Sequence, residues 1–241
     1  MCNLSINIIG DIHGRSNWRK VVRDDCFNIF VGDYFDPYGE ITFEQAKNEF
    51  LAIVDYIKTH SGTMLYGNHD LHYFHLDDTS RMDWDNIENI KTLLLDNKSM
   101  FKGIAYALDS TTLVSHAGVS QEWLNSTDFH KSEFDAYDLE KWCNDLLWNG
   151  DQVSDHYKFN YKAKFSDFYG ISPQQSPVWI RPHTLLDYNA LPEGLQIVGH
   201  TQSIAPVVTE HLITVDCLGQ NDMSVIWKNG EININRYEET N

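Results

Sequence analysis

An α/β fold built on a parallel sheet is predicted by three features of the first 66 residues. Apolar and amphipathic stretches alternate as strand, helix, strand, helix, strand. The apolar runs are short and stop at or just before glycine, and the clearest helix carries its own start signal. Ser5–Ile9 alternates into an apolar end and reads as the first strand, with Gly10–Gly14 as the turn that follows. Ser16 is the expected N-cap of a helix bearing Trp18, Val21 and Val22 on one face. Residues 27–31 form the second expected strand, ending at Gly32. Thr42 and Gln45 fit a capping box, and Ala46, Phe50, Ile53, Val54 and Ile57 make one stripe behind it. Gly62 leads into the third strand, 63–66.

Residues 71–110 are less regular, with a helical patch around 87–95, and 111–115 returns to strand character. From 121 to 182 the pattern changes. Leu139, Trp142, Cys143, Leu146 and Leu147 mark an amphipathic helix that stops near Gly150. Around it lie Trp123, Trp148, Tyr157, Tyr161, Phe165, Phe168, Tyr169 and Trp179. We expect a single domain over 1–241, with 121–182 an insertion that packs over one edge of the sheet and selects substrate. The last quarter reads as strands at 195–198, 212–215, 223–227 and 231–234, with Asn229-Gly230 a type I′ hairpin signal and a frayed tail after Arg236.

Hydrophobic residues make up 42% of the 241, enough for a packed core. A net charge of −17 with 18 basic residues repels nucleic-acid phosphates and anionic membranes, so neither is an expected partner. Cys2, Cys26, Cys143 and Cys217 are scattered without a C-x-x-C pair, which reads as reduced thiols of a cytosolic protein. The N-terminus has no basic and apolar leader pattern, and no membrane span is read, so the expected location is cytoplasmic.

Five short motifs follow apolar runs: Gly10-Asp11-Ile12-His13-Gly14, Gly32-Asp33-Tyr34-Phe35-Asp36, Gly67-Asn68-His69-Asp70, Ser115-His116-Ala117-Gly118 and Gly199-His200-Thr201. In open α/β sheets, loops at the carboxyl ends of strands gather in one crevice. The donors Asp11, His13, Asp33, Asn68, His116 and His200 mix imidazole with oxygen, which suits Mn, Fe, Zn, Co or Ni. Six donors exceed one tetrahedral site and suit two metals sharing a carboxylate. Such a pair, about 3.5–4 Å apart, suits phosphate-ester hydrolysis by a hydroxide held at the metals. His69 is left to protonate the leaving oxygen, with Asp36 available to orient it. Asp70 reads as a turn residue, His72, His75, His183 and His211 as solvated or supporting histidines, and Asp83-Trp84-Asp85 as a solvated face.

These five motifs, in this order and spanning Gly10 to His200, resemble the calcineurin-like metallophosphoesterase superfamily. The resemblance implies a β-sandwich of mixed sheets flanked by helices, in four layers. It implies that Asp11 and His13 hold the first metal, that Asp33 bridges, and that Asn68, His116 and His200 hold the second, with manganese the first choice. It also implies His69 as the acid and Asp36 as its partner. Gln202, after Gly199-His200-Thr201, and the Ser115-His116-Ala117-Gly118 form resemble the phosphoprotein phosphatase and diadenosine tetraphosphate hydrolase branch. Trp179-Ile180-Arg181-Pro182 resembles the segment supplying that branch's phosphate-binding arginine, here Arg181. One departure stands out: Pro37 occupies the position where phosphoprotein phosphatases carry a second arginine, unless Arg15 or another residue substitutes.

The expected function is therefore phosphate monoester hydrolysis, including that of a protein Ser/Thr phosphatase, on a phosphoprotein, nucleotide or small phosphoester. A dinucleoside polyphosphate hydrolase is the alternative, with Trp148 or Tyr161 stacking on adenine. A non-catalytic binding scaffold is a third reading, opposed by the retention of His69 beside all six donors.

Overall fold

The computed structural model describes residues 5–76, 81–158, 169 and 171–237. Its N-terminal alternation runs β1 (Ser5–Ile9), α1 (Trp18–Val21), β2 (Cys26–Phe30), α2 (Phe43–Thr59), β3 (Gly62–Leu65). Then come α3 (Asn68–His75), α4 (Ile87–Asp96), β4 (Phe101–Gly103), β5 (Ala105–Ala107) and β6 (Thr112–Ser115). The next stretch holds α5 (Gln121–Asn125), α6 (Ala136–Asp145), the hairpin β7 (Trp148–Asn149) and β8 (Gln152–Val153), and α7 (Pro182–Asp187). Five strands follow: β9 (Leu195–Val198), β10 (Val207–Val208), β11 (Leu212–Thr214), β12 (Met223–Lys228) and β13 (Glu231–Arg236).

Two mixed sheets result. The first has the order β13-β12-β1-β2-β3-β4, with β1 to β4 parallel, β12 antiparallel to β1 and β13 antiparallel to β12. The second has the order β10-β11-β9-β6-β5, with β6, β9 and β11 parallel between antiparallel edges. Because successive strand residues face opposite sides, Ile8, Ile29, Leu65, Val225 and Trp227 of the first sheet meet Val114, Ile197 and Ile213 of the second in one apolar layer. Ile9, Phe30 and Met64 share the other large cluster with Ala46, Phe50, Ile53 and Val54 of α2. Each such buried side chain contributes roughly 1.5–3 kcal/mol. Leu185 of α7 joins Val198 and Leu212 outside the second sheet, and α6 lies over its edge strand β5. The architecture is a helix-flanked sandwich.

The capping box forms as expected: Thr42 N donates to Gln45 Oε1 at 2.8 Å and Gln45 N to Thr42 Oγ1 at 3.3 Å. Asn229 and Gly230 both have positive φ, as a type I′ turn requires. Two expectations are corrected. α1 has Asn17, not Ser16, at its N-cap position, and the Asn17 amide is engaged elsewhere, by the Leu218 carbonyl and Asp222 at 2.8 Å each. The chain enters this helix late because His13 and Gly14 first donate to the carbonyls of Asp33 and Tyr34. Residues 68–75, read as a tight loop running into irregular chain, are instead the helix α3.

Asn144 ties α6 to β5, its Oδ1 accepting from Ile104 N and Ala105 N and its Nδ2 donating to Ala105 O. Tyr161, Phe165 and Phe168 lie outside the described residues, as does Cys2; Cys26, Cys143 and Cys217 are buried free thiols. Among the described residues, no helix is long and apolar enough to cross a membrane.

A buried polar chain crosses four strands of the first sheet. Asn7 Nδ2 donates to Asn28 Oδ1 at 2.8 Å, Ser224 Oγ donates to Asn7 Oδ1 at 2.7 Å, and Asn235 Nδ2 donates to Ser224 Oγ at 2.9 Å. Every link needs β13, β12, β1 and β2 in register, and a one-residue slip would turn these amides into the apolar layers.

Candidate metal centre

The parallel strands β1, β2 and β3 of one sheet and β6 and β9 of the other end beside one another, so four of the motifs line a single cavity and His116 of the remaining one lies buried behind it against Asn68 and Asp33. The cavity holds about 200 Å³ and is lined by Asp11, His13, Asp33, Tyr38, Asn68, His69, Arg81, Trp179, Arg181, His200, Gln202 and Asp216. The backbone is forced close here. A Cβ on Gly67 would lie 2.1 Å from Asp33 Oδ1 and 2.7 Å from His116 Cε1, and one on Gly199 would lie 2.3 Å from Asp11 Oδ1. Four site residues, His13, Asp33, Asp36 and His200, hold left-handed φ between 46° and 63°. That conformation costs L-residues roughly 1–2 kcal/mol each, and strain of this kind gathers at functional sites.

Backbone amides aim the carboxylates. His200 N donates to both Asp11 oxygens at 3.0 and 3.1 Å, and His69 N donates to Asp33 Oδ1 at 2.8 Å. Asp70 is the structural residue expected: its buried carboxylate accepts from Asp33 N, Tyr34 N and Gly67 N at 2.8, 2.9 and 2.8 Å. It thereby pins the loop after β2 to the start of α3.

The imidazoles are aimed by carbonyls. His13 Nδ1 lies 2.9 Å from Phe35 O, His116 Nδ1 2.9 Å from Val31 O, and His200 Nε2 3.0 Å from Trp179 O. Each of these nitrogens must carry the hydrogen, so the other nitrogen presents a lone pair to the cavity. Those lone pairs meet further acceptors. His13 Nε2 and His116 Nε2 are each 3.5 Å from Asp33 Oδ2. His116 Nε2 and His200 Nδ1 are 3.0 and 2.9 Å from Asn68 Oδ1. Acceptor faces acceptor with no proton between, an arrangement that cations resolve. Two groups emerge, Asp11–His13–Asp33 and Asp33–His116–His200, each with ligand atoms within 4.8 Å of one another and with Asp33 common to both. Burial pushes His13 and His200 well below the ordinary histidine range and His116 down to about 3, so all three are neutral, as ligands must be. Burial raises the Asp11 and Asp33 carboxyls, and the neighbouring charges of Asp216 and Asp70 add to the effect. The donor set fits metal.

Asp36, His69 and His72 form a third Asp/His group, differently satisfied. His69 Nδ1 is 2.8 Å and His72 Nε2 2.7 Å from Asp36 Oδ2, and Tyr73 OH donates to Asp36 Oδ1. Burial opposes ionisation of Asp36, but hydrogen bonds from His69 and His72 outweigh it and hold the carboxyl below its usual range. Burial also pushes His69 down to about 4, against the hydrogen bond to Asp36. The pair is therefore carboxylate and neutral imidazole, with the hydrogen on Nδ1. His69 Nε2 accepts from Arg81 Nη2 at 3.1 Å.

Arg181 lies at the cavity wall, with Nη1 donating to His200 O and Thr201 Oγ1 at 3.3 and 3.2 Å. His72 is buried rather than solvated, because Asp36 needs its donor. His75 meets the Ser154 carbonyl and His211 that of Gly194, while His183 is exposed. Trp148 packs against Tyr66 and Phe74 beneath Lys98, and not at the cavity, so it offers no face to adenine there. Sequence reasoning missed Arg81, Tyr38 and Asp216. Asp216 follows an apolar run as Asp11 does but has no adjacent glycine to flag it; burial raises its carboxyl to about 6.

Residues 4–203 match the family model described as calcineurin-like phosphoesterase. No curated protein matches the chain significantly in sequence. Among solved structures, the chain is similar to a cold-active protein-tyrosine phosphatase of a psychrophilic Shewanella species. The TM-score is 0.63 at 16% identity, covering 98% of this chain and 79% of that one. It is also similar to a protein serine/threonine phosphatase from Saccharomyces cerevisiae, with TM-score 0.53 at 12% identity over 99% of this chain and 82% of that one. At these identities the likeness is one of fold. The family match, the fold and the convergent donors agree: the chain belongs to the calcineurin-like phosphoesterase family and is a metal-dependent phosphatase.

Proposed function

We propose that the protein hydrolyses phosphate monoesters, with Asp11 and His13 at a first metal, Asp33 bridging, and Asn68, His116 and His200 at a second. The observation that carries this reading is Asp33 Oδ2, placed 3.5 Å from both His13 Nε2 and His116 Nε2, where one carboxylate serves two sites. Two bound metals, manganese by first choice, would supply positive charge at phosphorus and activate water near neutral pH. The chain does the rest. Arg181 offers guanidinium N–H groups to phosphoryl oxygens. His69, neutral with its hydrogen on Nδ1 in the free protein, would act as the acid by taking a proton on Nε2 once Arg81 releases that nitrogen and passing it to the leaving oxygen, with Asp36 holding Nδ1. His72 and Tyr73 keep Asp36 ionised and fixed. The segment 121–182 contributes Trp179 and Arg181 to the cavity wall and so bears on which leaving group fits.

Manganese-loaded protein should release phosphate from p-nitrophenyl phosphate and from a subset of phosphopeptides bearing phosphoserine, phosphothreonine or phosphotyrosine. Cleavage confined to dinucleoside polyphosphates in the same panel would establish the anhydride-hydrolase alternative. Binding of phosphopeptides without turnover would establish the scaffold.

A further inference from the structure

We infer that Arg81 binds the phosphoryl group of the substrate and fills the place that Pro37 leaves without a cation. Pro37 follows Asp36 directly and has no donor. Arg81 comes from 45 residues further along the chain, and its Nη1 donates at 2.5 Å to the carbonyl of Asp36, the residue just before that proline. A guanidinium is thus delivered to the neighbourhood of the missing one by another segment. Its plane rests on Tyr38, with Cζ 3.5 Å from the ring centroid, and Arg15 approaches the same ring at 5.3 Å. Stacking of this kind holds a guanidinium in place without consuming its N–H groups. Of the five N–H donors, one meets Asp36 O and one His69 Nε2, and the rest remain for a ligand.

The cavity itself calls for such a group. Its carboxylates, Asp11, Asp33 and Asp216, would repel a phosphate dianion. Arg181, anchored on His200 and Thr201, supplies one fork; Arg81, anchored beside Asp36 and His69, supplies a second on a different wall. Two forks can hold two non-bridging oxygens and fix the orientation of the phosphoryl group relative to His69.

The inference rests on the phosphoesterase reading, so its test uses binding as well as turnover. Titration calorimetry of inorganic phosphate into manganese-loaded protein should show Arg81→Ala weakening binding about ten- to a hundredfold, the range for losing charge-assisted hydrogen bonds. KM for p-nitrophenyl phosphate should rise by a similar factor, the loss should fall mainly on KM rather than kcat, and Arg81→Lys should recover part of both. Unchanged phosphate affinity in Arg81→Ala, or a loss in kcat alone, overturns the assignment and leaves Arg81 as a brace for the Asp36 loop. Should Arg81→Ala not fold, the same two readouts on Arg81→Gln decide. Wild-type protein that binds phosphate in an Arg81-dependent way yet hydrolyses no monoester would sink the proposed reaction while upholding the Arg81 site.

Discussion

Two Asp/His clusters sit within one cavity wall, and their difference lies in hydrogens rather than in composition. Around Asp33, the lone pairs of His13 and His116 and the Asn68 oxygen converge with no donor among them. Around Asp36, both carboxylate oxygens receive donors, from His69, His72 and Tyr73. Ligand atoms lie within 4.8 Å in both. Proximity alone would nominate each as a metal site; the hydrogens favour the proposed cation site at the first and a proton-holding role at the second.

The largest expected effect tests the first cluster. Asp33→Asn removes charge shared by two sites, so activity should fall by more than the ~10–100-fold typical of losing a supporting partner. Elemental analysis should find fewer than two manganese ions per chain; full activity at low metal would break the distinction. His69→Asn tests the second cluster. Turnover of alkyl phosphates should fall by about 10²–10⁴-fold, that of p-nitrophenyl phosphate far less because its leaving group needs no proton, and metal content should stay near two. A loss of metal would move His69 into the first cluster. His72→Phe removes one of three donors to Asp36 and should cost about tenfold, as for a single charged hydrogen bond, with the same bias against alkyl phosphates.

The smallest effect is thermal. In metal-free protein the Asp11 and Asp33 carboxyls are raised and Asp216 is raised to about 6, against 3.8 when exposed. The folded state then binds more protons than the unfolded one between those values. Their contribution to stability therefore falls as pH climbs from about 4 through 6. Because the buried neutral His13, His69, His116 and His200 act in the opposite sense over the same window, the carboxylate share is read by melting wild type beside Asp216→Asn with chelator. The variant should gain Tm relative to wild type as pH climbs, by about 2–4 °C per kcal/mol for a chain of this size. Manganese should raise the wild-type Tm at pH 7. A Tm difference between Asp216→Asn and wild type that stays constant across the same window would contradict the burial of an uncompensated carboxylate at Asp216.

The strand-end donors were legible because each follows an apolar run and lies beside or near glycine, a pattern local to a few residues. The α2 stripe and the Asn229-Gly230 turn were legible for the same reason. What escaped was imposed by distant chain. Residues 68–74 are all buried, so α3 shows no amphipathic period and its start read as a turn. Arg81 belongs to no motif and gains meaning from the carbonyl of Asp36. Asp and His tolerate the left-handed backbone better than most residues, but its placement at His13, Asp33, Asp36 and His200 is set by tertiary bonds that no local pattern announces.

The Asn7–Asn28–Ser224–Asn235 chain carries a consequence for the order of folding during synthesis. β1 is made first, yet one of its two neighbours, β12, is made more than 200 residues later. Until then one edge of β1 is open, Asn7 Oδ1 lacks its Ser224 donor, and Asp11 at the strand end lacks Asp216 beside it. The metal centre, though five of its six proposed donors lie before residue 117, is completed only once His200 and Asp216 have been made. An open parallel edge held that long is a template for pairing with other chains. A nascent chain stalled before β12 should therefore be the species most prone to aggregate and most dependent on chaperones.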